Sequence, residues 1–120
     1  METRKLNRDS LGPDNNYSQR LLPWPALNAP FEGAWCVIKP GSSSTKHSHH
    51  EYEIFVAVSG EALLESAGER ARFTAGDVVH FLPHTDHQVI NKGSEDFEMY
   101  TVWWDRDMTQ RFARRDDGED

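Results

Sequence analysis

With 120 residues, of which 37% are hydrophobic, the chain holds material for one core and not for two. A formal net charge of −7 lacks the basic surface that nucleic acid or an anionic membrane would require, so neither is expected as a partner. A single cysteine, Cys36, excludes an intrachain disulfide, and the opening METRKLNRDSLG lacks the apolar stretch of a secretory signal, so a cytoplasmic location is expected.

Met1 to about Arg20 is polar, is broken by Gly12-Pro13 and Asn15-Asn16, and has too little apolar content to fold alone. It reads as an arm or a disordered leader. LLPWPALNAPFEG follows, whose three prolines forbid a helix and favour an extended path over the domain or a neighbouring subunit, with Leu21, Leu22 and Trp24 as packing candidates. From Gly33 to Trp104 the text becomes short β-rich runs (AWCVIK, EIFVAV, ALLES, ARF, VVHFL, HQVIN, FEMYTVWW) separated by turn signals such as Pro40-Gly41, Ser59-Gly60 and Ala75-Gly76-Asp77. No helical pattern intervenes, so the fold class is all-β, an antiparallel sandwich or barrel. DRDMTQRFARR then predicts a short helix with Asp107 as its N-cap and Met108 and Phe112 stacked at i and i+4. Asp116 to Asp120 form an acidic tail. The organisation is thus an N-terminal arm over 1–30, a barrel over 31–105, and a helix and tail over 106–120.

All six histidines fall between His47 and His87. A lone His-x-His on a strand is usually two solvated or hydrogen-bonded side chains, but here His87 and Glu53 accompany His47 and His49. On one straight strand His47 and His49 lie about 6.6 Å apart and can share an ion, whereas Glu53 would lie about 13 Å beyond His49. Either Glu51 is the carboxylate on a straight strand, or the chain reverses through His50, Glu51 and Tyr52 so that Glu53 opens the neighbouring strand. Adjacent strands are only about 4.8 Å apart, which would set Glu53 beside the histidine pair.

GSSSTKHSHHEYEIFVAVSG resembles the first motif of the cupin superfamily: Gly41, five residues, His47, one residue, His49, three residues, Glu53, six residues, Gly60. GDVVHFLPHTDHQVIN resembles the second, from Gly76 to His87 eleven positions on and Asn91 four further. It departs from that pattern where Leu82 stands for the motif proline, which comes one position later as Pro83, and where His84 replaces a turn glycine. The resemblance covers about Ala34 to Trp104. It implies a double-stranded β-helix, or jelly-roll, with His47, His49, Glu53 and His87 converging on one divalent metal ion. A small barrel has room for side chains or one small ligand, and an unpaired carboxylate there would cost several kcal/mol unless a cation met it. Mixed imidazole and carboxylate ligation suits Zn or Fe(II), with Mn, Ni and Cu also compatible.

Around the site, His80 in VVHFL faces either the interior, as a catalytic proton carrier, or the outside. His84 is a candidate substrate contact near the mouth, and Glu51 a candidate at the pocket edge. Asp86 is a candidate to orient an imidazole. Trp35 and Trp103 are pocket candidates, and Tyr100 a catalytic one; Trp103 and Tyr100 must point to opposite faces of one strand. Cys36 has no paired base and is not proposed as a nucleophile.

A narrower resemblance lies in PFEGAW, HSHHEYEIF and MYTVWWD, which are similar to small cupins found with methionyl-tRNA-synthetase-like proteins. It implies nitrogen–nitrogen (hydrazine) bond formation from an N-hydroxylated amine ester in natural-product biosynthesis, usually with zinc. The alternatives are a non-haem iron dioxygenase or oxidase and a non-catalytic small-molecule-binding cupin. The expected partners are a small-molecule substrate, a second copy in a homodimer, by resemblance, and a partner enzyme of the same pathway.

Overall fold

The computed structural model describes residues 1–22 and 29–116. Trp24, most of the proline-rich segment and the tail after Asp116 lie outside the described residues. Eight strands follow in chain order: β1 Ser18–Gln19, β2 Glu32–Ile38, β3 Tyr52–Ser59, β4 Glu61–Ser66, β5 Glu69–Thr74, β6 Val78–Phe81, β7 Gln88–Ile90 and β8 Phe97–Trp104. They form two antiparallel sheets, ordered β1-β2-β8-β3-β6 and β5-β4-β7. Helix α1, Arg106–Asp116, closes the described chain. Among the described residues no helix is long and apolar enough to cross a membrane.

Strand alternation decides what faces the space between the sheets. On β3 the inward set is Glu53, Phe55 and Ala57, all buried; on β8 it is Phe97, Met99 and Thr101, also buried, followed by Trp103. Phe97 is fully buried and meets Phe73 of the smaller sheet, ring centroids 5.7 Å apart, so one aromatic pair joins the two layers. The outward set of the same strands is also apolar. Ile54, Val56 and Val102 lie there half-buried, beside the more exposed Tyr52, Val58 and Val78.

Several motif positions have plain backbone reasons. Gly60 has φ +85°, and a Cβ there would lie 2.5 Å from the Asp96 carbonyl oxygen, so glycine alone fits this β3–β4 turn. Asn91, 1% exposed, donates from Nδ2 to the carbonyls of Ile38 and Glu95 and accepts from Gly93 N, which ties the end of β2 to the β7–β8 loop. His84 keeps a positive φ of 65° where the motif has glycine. That substitution leaves the turn's shape in place at the ordinary cost of a left-handed residue, about 1–2 kcal/mol.

Helix α1 starts two residues earlier than the spacing predicts. Asp105, not Asp107, is the cap: its Oδ1 accepts Met108 N at 2.8 Å. Met108 is buried, and Phe112 lines an apolar cleft with Phe31, Val102 and Trp104.

The arm runs along the sheet. β1 pairs with β2, Ser18 opposite Cys36 and Gln19 opposite Trp35. Leu11 is 4% exposed, Val37 N donates to Tyr17 O, and Thr45 N donates to Asn16 Oδ1 at 2.7 Å. Further up, Arg8 pairs with Glu98 of β8, which also accepts from Trp35 Nε1 and Ser59 Oγ. The polar text hid these contacts because backbone pairing and single side-chain anchors need no apolar periodicity.

Burial raises the Glu98 carboxyl, but the bonds from Arg8, Trp35 and Ser59 outweigh it and hold the group below its ordinary value of 4.5. A carboxyl depressed in the folded state gives stability that is present above its unfolded pKa and lost as pH falls through the folded value. Glu98→Gln is therefore expected to lower Tm at pH 7, with the wild-type and variant curves converging between about pH 5 and 3. Parallel Tm curves across that range would contradict the assignment.

Candidate metal centre

The site is built where the connection from β2 to β3 meets the start of β7. His47 and His87 form an antiparallel backbone bridge, His87 N donating to His47 O at 3.1 Å and His47 N to His87 O at 3.4 Å. Their rings stand 4.9 Å apart, and the His49 ring lies 5.4 and 5.2 Å from the two. Nitrogens of His47, His49 and His87 lie within 4.8 Å of one another. The chain bends at His50 and Glu51 and enters β3 at Tyr52, so Glu53 comes onto the inner face, 7% exposed. Its Oε1 lies 2.9 Å from His49 Nε2 and 3.2 Å from His87 Nε2. Chain reversal, not a straight strand, thus brings Glu53 to the histidines. Tyr52 belongs to the strand and not to the turn.

Two rings are oriented from behind in the same way. His47 Nδ1 lies 3.0 Å from Thr45 O and His87 Nδ1 lies 3.1 Å from Thr85 O. A carbonyl only accepts, so each Nδ1 carries the proton and each Nε2 keeps its lone pair. Burial lowers the His47 pKa, assisted by His87 and partly countered by the Thr45 carbonyl, which favours the neutral, ligating ring. His87 Nε2 is fully buried without an aligned hydrogen-bond partner, despite its short distance to Glu53. His49 Nδ1 is likewise buried and unaligned, 3.3 Å from Glu51 Oε1. Buried lone pairs beside a buried carboxylate are costly in an apolar barrel, and a divalent cation would satisfy them together.

These groups open into a cavity of about 450 Å³, within the range of small-molecule pockets. Glu51 and Trp103 line it, as do Thr101, Cys36 and Met99 on the sheet wall. Ser18 and Arg20 line it from the arm, two residues that the sequence reading missed because nothing in NNYSQR marks it as cavity wall. Cys36 is buried beside Ser18 Oγ at 3.0 Å, and desolvation pushes its thiol up to about 11.

Four expected pocket residues lie elsewhere. Trp35 and Tyr100 are register partners on the outer face of the large sheet, where Trp35 donates to Glu98 and meets Tyr100 edge-on. Burial raises the Tyr100 hydroxyl's pKa, but the group has no access to the cavity through the sheet. His80 is also outward, opposite Ile54, and lies with Tyr52 and Trp104 in a parallel-ringed exterior cluster. It is not placed to carry a proton in the pocket. His84 is exposed and does not line the cavity; its backbone N donates to His49 O at 2.7 Å, so it steadies the chain at His49. Asp86 accepts from Ala67 N, and the His87 ring is oriented by Thr85 instead.

The fold and the cluster together define a jelly-roll domain with a three-histidine site able to take one metal ion. Residues 34–103 match the cupin domain model, and the chain belongs to that family. It is similar to the solved Cupin 2 conserved barrel domain protein of Salinispora arenicola, 57% identical with a TM-score of 0.87 over 96% of this chain and 98% of that one. A Photorhabdus luminescens protein, plu4264, is 41% identical with a TM-score of 0.84, covering 94% and 95% of the two chains. An oxalate-binding protein of Thermotoga maritima is 33% identical over 66 residues, so that match spans 54% of each chain.

If the four side chains share one ion, Glu53→Ala and His87→Ala should each weaken Zn(II) or Co(II) binding in a calorimetric titration by about 100-fold or more. Glu51→Ala should cost about tenfold or less, the effect of a group that only orients a ligand. Equal losses for Glu51 and Glu53 would refute the ligand set.

Proposed function

We propose that this cupin is a metal-dependent enzyme acting on a small molecule, with His47, His49, Glu53 and His87 as the ion's ligands. The observation that carries this is the buried, unpartnered His87 Nε2 next to the buried Glu53 carboxylate at the inner end of the cavity. When bound, a divalent ion in such a set supplies Lewis acidity and open positions for substrate. The protein's own contribution is orientation and exclusion of water. The carbonyls of Thr45 and Thr85 hold two imidazoles in register, and Phe55 and Phe81 pack against the His87 ring at 5.3 and 4.5 Å. Glu51 stands beside His49 Nδ1, where a carboxylate orients a metal-bound imidazole.

Within this reading the sequence favours nitrogen–nitrogen bond formation under zinc, for which the amine and its N–O partner need only be held in reacting geometry. The name of the Thermotoga relative supports a carboxylate-bearing ligand. Iron-dependent oxygen chemistry and ligand binding without turnover are the rival outcomes.

Elemental analysis of protein purified without added metal, paired with anaerobic and aerobic assays on an N-hydroxylated amine ester, separates them. Metal at about one ion per chain with oxygen-independent turnover is the expected result. Oxygen consumption with Fe(II) would move the assignment to a dioxygenase. Uptake of the ester without turnover would make this a binding module, and a protein that neither contains nor takes up metal would overturn the proposal.

A further inference from the structure

We propose that Arg20 is the anchor for a carboxylate on the substrate, set across the cavity from the metal ligands; this rests on the metal-site reading above. Arg20 follows β1 directly, and its inward parity is that of Ser18, which faces Cys36. Its guanidinium carbon lies 5.0 Å over the Trp103 ring. Trp103 is in turn the cross-strand partner of Glu53 on the inner face. The guanidinium therefore lies over the side chain that neighbours Glu53 on the inner face. Among the described residues lining the cavity it is the only Lys or Arg, and two of the others, Glu51 and Glu53, are carboxylates.

Arg20 gives the cavity wall a guanidinium donor suited to an anion. Glu51 and Glu53 offset a divalent ion, and Arg20 adds a positive charge at the other side of the space. Glu32 Oε1 lies 3.5 Å from Arg20 Nη1, longer than the ~2.7–2.9 Å of a charge-assisted bond. A guanidinium has five donors in one plane, so a second carboxylate can be received along its edge while the face stays on Trp103. Backbone bonds fix the segment that leads into Arg20, whose side chain is 57% exposed. Asn16 receives Thr45 N, and Val37 N reaches Tyr17 O, just before the Ser18–Gln19 pairing. The substrate class that fits is a small molecule with one polar group for the ion and a carboxylate several bonds away, such as a dicarboxylate or an amino-acid derivative.

The test crosses the charge on the protein with the charge on a probe. Succinate and monomethyl succinate are titrated calorimetrically into metal-loaded wild type, Arg20→Gln and Arg20→Lys, after each protein's metal affinity has been measured. Wild type should prefer succinate by about tenfold, the scale of one well-formed charged contact. Arg20→Gln should reduce that preference to about twofold or less with metal affinity unchanged, and Arg20→Lys should retain part of it. If the arm merely loosens in Arg20→Gln, both probes weaken alike and the preference survives, which overturns the proposal. An equal preference in wild type and Arg20→Gln overturns it as well, while the metal reading stands. Failure of wild type to take up metal overturns both.

Discussion

The two hydrogen bonds between the backbones of His47 and His87 are the contact on which the site depends. They join a connection that follows β2 to a segment that begins β7, so that two stretches forty residues apart present imidazoles to the same point. Because side chains leave a bridge in fixed directions, ring positions are set by main-chain geometry before any ion arrives. Each ring then needs only one further restraint, and the carbonyl two residues upstream supplies it. Both imidazoles are thereby ordered by folding itself.

The interior of the large sheet follows one parity through β2, β8, β3 and β6, and that parity separates chemistry from scaffolding. It carries Glu53, Thr101 and Trp103 inward and sends Tyr100, Trp104 and His80 out. What replaces solvent on the outer side is mixed. Arg8 and Glu98 bring the arm across one end, α1 covers the other through Met108, and the apolar middle of β3 remains half-buried.

Much of this is legible in the sequence. The convergence of Glu53 on the histidines could be read because a reversal is the only path that brings Glu53 back to His49, and reach is a matter of residues times rise. The β-rich middle could be read from turn residues, and Gly60 and Asn91 sit where their backbone roles require. The facing of Trp35, Tyr100 and His80 could not, since FEMYTVWW is apolar on both faces and alternation alone fixes pairs of residues, not which pair is inside. Asp105 escaped notice as the helix cap because Asp107 offers the same chemistry two residues later. Arg20 and Ser18 were missed for a deeper reason. Their place in the cavity follows from a two-residue strand pairing and a few single hydrogen bonds, and none of these leaves a periodic mark in the text.

Cys36 gives the cavity a property of its own. Its sulfur sits in the cavity wall, yet with the thiol held near 11 only about one molecule in ten thousand carries a thiolate at neutral pH. Burial thus keeps the sulfur a neutral, apolar part of the cavity wall beside a site built from nitrogen and oxygen donors. The same protonation blunts alkylation and oxidation of the free cysteine.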